Sequence, residues 1–293
     1  MSNIINQLIN GIQKGSIYAL VALGYTMVYG IIKLINFAHG DFIMVACFII
    51  YSGIILFGLP IWLSLILSLI FAVLLGVVTE KIAYKPLRNS PRITALITAI
   101  AVSLLLQNIS QKIFTSNPKI ARELIELQVY HIGDIVINNI AIITISVSII
   151  SMILLAIFVN KTRTGKAMRA VSENPDAARL MGINNNKTIT ITFAIGTLLA
   201  GIAAIMYYSY SGYLTPTLGG KLGLYAFVAA VVGGIGIIPG AMLGGFLIGI
   251  IEVLPYMVGI APEYSDIILF GTLILILLFK PTGILGKNVG EKV

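Results

Sequence analysis

IWLSLILSLIFAVLLGVVTEKI, residues 61–82, is apolar until Glu80 and Lys81. A helix that crosses the hydrocarbon core of a bilayer needs about 20 mostly apolar residues, and this stretch supplies them. Eight further apolar segments flank it, at about 10–32, 41–57, 93–114, 139–160, 188–210, 223–238, 240–258 and 265–280. None shows the alternating pattern of a membrane β-strand, and lipid leaves no partner for an unpaired backbone group, so the segments are helices. Several are short or broken by glycine. The pattern therefore predicts an all-α, polytopic integral membrane helix bundle with eight or nine transmembrane segments. Composition agrees: 58% of the 293 residues are hydrophobic and 10% are charged, against roughly 25% charged in soluble proteins. No polar stretch is long enough for a soluble domain, so residues 1–293 are expected to form one transmembrane domain.

The net charge of +8 is explained by where the basic residues lie, without nucleic acid. Lys33, Lys81, Lys85, Arg88, Arg92, Lys161, Arg163, Lys166, Arg169, Arg179, Lys187, Lys280, Lys287 and Lys292 fall on one side of nine alternating crossings. Lys14, Lys112, Lys119, Arg122 and Lys221 fall on the other. Basic loops stay in the cytoplasm. The N-terminus is thus expected outside, with the loop 115–138, and the C-terminus inside. The first apolar segment lacks a basic start and a small-residue cleavage site, so it is not read as a removable signal.

Several chemistries are missing. Cys47 is the single cysteine and His39 and His131 are the two histidines, so no Cys/His metal cluster is expected. Cys47 reads as a small buried hydrophobe. There is no G-x-x-x-x-G-K-[ST] loop to cradle ATP, no cofactor motif and no catalytic motif, which excludes an enzyme. Asp41, Glu80, Glu252 and Asp266 are the acids in or beside apolar segments, at or near segment ends. A proton- or sodium-driven carrier needs buried ionisable groups, so a conduit driven by something else fits better. Glu252 is the deepest of the acids, with either an outer-end position or a role in the path.

The stretch 161–187 is the most informative polar segment. Ser172 is expected to cap a helix with Pro175 and Asp176 in its first turn. Glu173, Asn174, Ala177, Ala178, Arg179, Leu180 and Met181 continue it, and Gly182 ends it. The result is a short amphipathic helix over about 173–181. It is either a solvated loop helix or a knob whose Leu180 and Met181 a partner covers.

INFAHGDF, residues 35–42, interrupts an apolar run with Asn36, Phe37, His39, Gly40 and Asp41. It is either a turn whose Asp41 caps the next helix, or a broken membrane helix whose freed backbone lines a cavity. Gly236, Gly240 and Gly244, and Gly245 and Gly249, recur at intervals of four, which suits close helix packing. Tyr207, Tyr208, Tyr210, Tyr213 and Trp62 read as interfacial anchors.

Glu173, the pair Ala177–Ala178 and Gly182 resemble the coupling loop of ABC importer permeases, although the spacing from Glu173 to the alanines departs from its plainest form. GSIYALVALGYTMVYGIIKLINFAHGDF (15–42), Pro86–Leu87–Arg88, GKAMRAVSENPDAARLMGI (165–183), GGIGIIPGAMLGG (233–245) and KPTGILG (280–286) resemble, nearly end to end, the membrane permease subunit of branched-chain amino acid ABC transporters. That resemblance implies an ABC importer permease in a bacterial inner membrane. It implies a second homologous permease subunit, two ATPase subunits that bind the ATP, and an external substrate-binding protein. It assigns Glu173 to Gly182 to ATPase coupling. Permeases that resemble this chain also serve urea or short amides.

Overall fold

The computed structural model describes residues 2–34, 36–88 and 90–286. Lys287 and Lys292, counted above among the inner basic residues, lie outside the described residues, as does Ile35. The helices in chain order are α1 (Ser2–Ile32), α2 (His39–Tyr51), α3 (Ile61–Thr79), α4 (Arg92–Phe114), α5 (Asn139–Lys161), α6 (Arg163–Glu173), α7 (Pro175–Leu180), α8 (Asn185–Tyr210), α9 (Leu218–Gly233), α10 (Ile238–Val258) and α11 (Tyr264–Phe279). A π-helical turn, Ser52–Leu56, extends α2, and another, Glu80–Tyr84, extends α3.

Seven of the described helices are long and apolar enough to cross a membrane: α1, α2 and α3 with their extensions, α4, α5, α8 and α10. The apolar helices α9 and α11 are shorter, at 16 residues each, or about 24 Å at 1.5 Å per residue. Each of the nine apolar segments read from the sequence is thus a helix. The two short ones cover less than the roughly 30 Å of hydrocarbon.

Burial separates an inner from an outer layer. The apolar window of α1 is 78% buried, against 17% for α4 and 22% for α3 and α5. The central α1 packs on α10, α8, α9 and α5, while α2 packs on α3, α8 and α9. The outer helices place their large apolar side chains outward and their small or polar ones inward. On α3 the buried positions are Ser64, Ser68, Ala72, Gly76 and Thr79, while Ile66, Ile70 and Leu74 are exposed. On α5, Thr144, Ser148 and Ser151 are buried, while Ile150, Ile153 and Leu154 are exposed. Lipid removes the usual apolar drive between helices, so contact favours small side chains and interhelical hydrogen bonds. Ser68 Oγ donates such a bond to the Ala46 carbonyl on α2 at 3.0 Å.

The loops sort onto two faces. Asn6, near the chain start, donates to the Asp134 carbonyl at 3.3 Å and accepts from Val136 N at 2.9 Å. Those residues lie in the turn and second strand of a hairpin of β2 (Val129–Ile132) and β3 (Ile135–Asn138). β1 (Lys119–Ile120) pairs antiparallel with β4 (Tyr213–Leu214). The N-terminus, the loop 115–138 and the loop 211–217 therefore share a face. On the other face, Lys33, Lys85, Arg88, Arg179 and Asn186 border one cavity of about 950 Å³. Lys33, Arg169, Ile237 and Thr282 border a second of about 860 Å³. The basic loops are thus gathered on one face.

Not every residue of the tyrosine cluster is an interfacial anchor. Tyr208 is buried, and its hydroxyl accepts from the Arg122 backbone N–H at 3.3 Å, tying the loop 115–138 to the end of α8. Tyr210, Tyr213 and Trp62 are exposed.

Candidate functional site

The segment 162–184 forms two short helices. Thr162 caps α6, its Oγ1 accepting from Gly165 N at 3.0 Å. Glu173 ends that helix and does not begin the next. The cap of α7 is Asn174, whose Oδ1 accepts from Asp176 N and Ala177 N, each at 3.0 Å. Ser172, expected to be this cap, lies two residues too early, inside α6, and donates to the Arg169 carbonyl. Serine and asparagine are comparable caps, but Pro175 disfavours the helical conformation at the residue before it, so the break falls at Asn174.

Gly182 ends α7 with φ of +82°. Ile183 N donates to the Ala178 carbonyl and Gly182 N to the Arg179 carbonyl, each at 3.0 Å. This pair of bonds is the Schellman termination, which favours glycine because its first residue past the cap is left-handed. Ala178 is buried against the bundle, whereas Leu180 and Met181 are 89% and 83% exposed. Two large apolar side chains therefore project from a firmly capped helix.

That helix is fastened to the spans behind it. Asn185 Nδ2, in the first turn of α8, donates to the Pro175 carbonyl at 2.8 Å. The next residue, Asn186, accepts from Arg88, which also pairs with the fully buried Glu80. The second oxygen of Glu80 accepts from Thr190 Oγ1 at 2.8 Å. Removing one member of such a pair leaves a buried charge uncompensated, so the end of α3 and the start of α8 are held as one piece.

The break between α1 and α2 is a turn whose second half, Asn36 and Ala38 to Asp41, is buried in the bundle. Lys33 has φ of +56°. Asn36 Oδ1 accepts from Ala38 N at 3.1 Å and from the Tyr84 hydroxyl at 2.7 Å. Asn36, not Asp41, thus satisfies the backbone at this helix start. Asp41 lies inside the first turn of α2, and its Oδ1 accepts from Gln107 Nε2 of α4 at 3.0 Å. His39 is buried, with its ring centroid 4.9 Å from that of Tyr25, and Phe37 lies 5.6 Å from Phe227. Gly40 packs against the backbone of Gly219 and Gly223 with no room for a side chain. The N-terminal turns of α2 and α9 therefore meet inside the bundle. Both nitrogens of His39, Asp41 Oδ2 and the Tyr25 hydroxyl are buried without a partner among the described residues.

Glu252 is not part of that cluster. Its Oε1 pairs with Lys14 Nζ at 3.1 Å and its Oε2 accepts from the Tyr18 hydroxyl at 2.6 Å. Tyr18 and Lys14 precede Tyr25 on α1 by roughly 10–17 Å of helix. The candidate path residues therefore divide between the α2 start and a separate charged site nearer the N-terminal face. Lys14, Tyr18, Tyr84 and Gln107 were not singled out from the sequence. A polar residue within an apolar run was the available signal at Lys14 and Gln107.

The family model described as branched-chain amino acid transport system / permease component matches residues 7–277. This chain belongs to that family. It is 40% identical to the high-affinity branched-chain amino acid transport system permease protein BraD of Pseudomonas aeruginosa, over 99% of this chain and 98% of the relative. It is likewise 40% identical to the corresponding permease protein LivH of Escherichia coli K12, over 99% and 97%.

The glycines of the permease act at specific crossings. A side chain on Gly245 meets the backbone of Ala19 on α1, and one on Gly249 meets Gly11 and Gly15. One on Gly244 meets the Ala229 carbonyl on α9, and one on Gly240 meets Gly233. Gly236 does not continue this row. It lies in the turn before α10 with φ of +89° and 3.7 Å of clearance to Gly30. The tail segment crosses the same turn, with Ile284 N donating to the Val232 carbonyl at 2.8 Å and Leu285 N to Gly233 at 3.1 Å.

Proposed function

We propose that this permease is the membrane subunit of an ATP-driven ABC importer for branched-chain or other hydrophobic amino acids. The observation that carries the reading is α7, which is capped by Asn174, closed by Gly182 and exposes Leu180 and Met181 at 89% and 83%. Each large apolar side chain left in water forgoes about 1.5–3 kcal/mol of burial, and a partner cleft recovers it. In this reading Glu173 to Gly182 dock a separate ATPase subunit that binds the ATP. A second homologous permease, a second ATPase subunit and an external substrate-binding protein complete the complex. ATP binding closes the ATPases and moves α7, and through Asn185, Arg88 and Glu80 the movement reaches α8 and α3. The bundle then alternates between outward- and inward-open states.

Proteoliposomes holding the whole complex are expected to take up leucine only with ATP and both ATPase subunits present. Uptake without an ATPase overturns the importer in favour of a carrier or channel. Uptake of urea or short amides with no leucine uptake overturns the substrate class and keeps the ATP-driven mechanism.

The same reading sets the orientation in the bacterial cytoplasmic membrane, with the basic face inward. A cysteine at Asn185 is expected to resist an impermeant thiol reagent added to intact cells, and one at Asn117 to react. Labelling of Asn185 from outside reverses the topology. Cys47 is buried and gives a low background.

A further inference from the structure

A bundle in lipid turns apolar side chains outward, and α3 and α5 do so. The face made by α4, α9 and α11 does not. Helix α4 has the least buried apolar window of the seven long helices, yet it is less apolar than α3 and α5. Its outward stripe of Ile97, Leu104 and Leu105 continues into Asn108, which is exposed and donates to the Leu104 carbonyl of its own helix at 2.7 Å. The neighbouring Gln107 lies against Gly220 of α9, its Nε2 3.4 Å from where a side chain on that glycine would start. The side chain of Lys221 is 62% exposed, and its Nζ lies 3.8 Å from Asp266 Oδ1 of α11, which is 51% exposed. Tyr225, one turn on, donates to the same carboxylate, and the Lys221 ammonium sits 5.1 Å from its ring centre. Asn108, Gln107, Gly220, Lys221 and Asp266 thus form one polar band across three helices.

The band lies at membrane depth. Gly219, two residues before Lys221, packs on Asp41, which is about 22 Å along α2 and its extension from Leu56. His39, at the same level, leaves no room for a side chain on Gly24, which is about 12 Å along α1 from Ile32. Those two distances together span the roughly 30 Å of hydrocarbon. Ionisable side chains are costly against lipid at such depth. Asp266 and Asn108 are too short to reach the interface, and the Lys221 ammonium turns to Asp266.

A soluble partner does not reach that depth, so the cover is another membrane protein. The band offers a cation, an anion and an amide. A related chain carrying a similar band can answer all three across a two-fold axis. We propose that the face of α4, α9 and α11 around Lys221 is where the second homologous permease subunit packs. The assignment rests on the two-permease reading above and adds to it the surface of contact. The outward faces of α3 and α5 are left to lipid.

The test places the photo-crosslinking residue p-benzoylphenylalanine singly at Asn108 or Leu224, both exposed on this face, and at Ile70 of α3 or Ile150 of α5 as controls. The permease is expressed with its partner subunits and irradiated in membranes. Asn108 and Leu224 are expected to give an adduct with the second permease, and Ile70 and Ile150 to give none. In a second arm, Asn108→Leu, Lys221→Leu and Asp266→Asn are combined. Asp266→Asn keeps an acceptor for the Tyr225 hydroxyl, so the permease alone is expected to keep its wild-type yield. The amount of second permease that co-purifies with it is expected to fall roughly tenfold or more, since several interhelical polar contacts are lost together. A face that meets lipid would instead tolerate these less polar side chains with no change in pairing. The surface is overturned if the second permease co-purifies with the wild type but gives no adduct at Asn108 and Leu224, if it gives equal adducts at the control positions, or if the triple variant retains it at the wild-type ratio. Absence of any second permease from the wild-type complex overturns the two-permease reading, and this surface with it.

Discussion

Changing Leu180 and Met181 together to serine is expected to weaken ATPase docking by about a hundredfold or more, and to stop uptake, while the permease inserts and folds normally. The magnitude follows from burial. Each side chain covered by a partner contributes about 1.5–3 kcal/mol, and every 1.4 kcal/mol is tenfold in affinity. Their exposures of 89% and 83% leave little contact within the permease to lose. Gly182→Asp tests the same surface by another route. A side chain at Gly182 has open space within 4 Å, so no clash arises. The φ of +82° is the difficulty, because a residue with a Cβ is strained there by roughly 1–2 kcal/mol. Relief of that strain undoes the Schellman closure and swings Leu180 and Met181 out of position. Substrate-stimulated ATP hydrolysis and a pull-down of the ATPase subunit read the outcome. Normal binding, hydrolysis and uptake in both variants would falsify the docking assignment.

The second large effect is expected where α10 crosses α1 and α9. Gly245→Leu places a side chain where the Ala19 backbone already lies, and Gly244→Leu places one against the Ala229 carbonyl. Backbone cannot rotate aside as a side chain does, so the helices must separate. Overpacking in a tight core costs about 1–3 kcal/mol, and here the separation also removes dispersion contacts along the central helix. Both variants are expected to lose most of their monodisperse yield in mild detergent, with a lower unfolding midpoint in what remains. Gly271→Leu on α11 is the control, since nothing lies within 4 Å of its Cβ position, and it is expected to behave as wild type. Equal yield and midpoint for all three would mean that α10 does not pack on α1 and α9 at these glycines.

The two effects differ in kind. One removes a surface that the isolated permease does not use, and the other removes a contact that it cannot assemble without. Transport in the first case fails with the fold intact, and in the second it fails with the fold.

Much of this was legible in the chain alone. Nine apolar runs marked nine helices, because the length needed to cross hydrocarbon is set by the bilayer and every backbone group must be paired within the segment. The basic loops marked one face, because membrane insertion sorts charge by loop and not by tertiary contact. Pro175 and Gly182 marked a short helix between spans, because capping and termination are local events. The cap at Asn174 in place of Ser172 was itself a local matter, since Pro175 fixes where the helix breaks. Other features depended on partners distant in sequence. Glu252 proved to answer Lys14, 238 positions away in the chain, and Asp41 to answer Gln107, 66 positions away. Gly236 shared the four-residue rhythm of Gly240 and Gly244 but fell in a turn, because spacing records where a glycine would face only if the helix has already begun. The meeting of Gly40 with Gly219 and Gly223 was beyond any local signal. It requires α2 and α9 to start inside the bundle, and only the packing of α9 against α1 and of α2 against α3, α8 and α9 decides that depth.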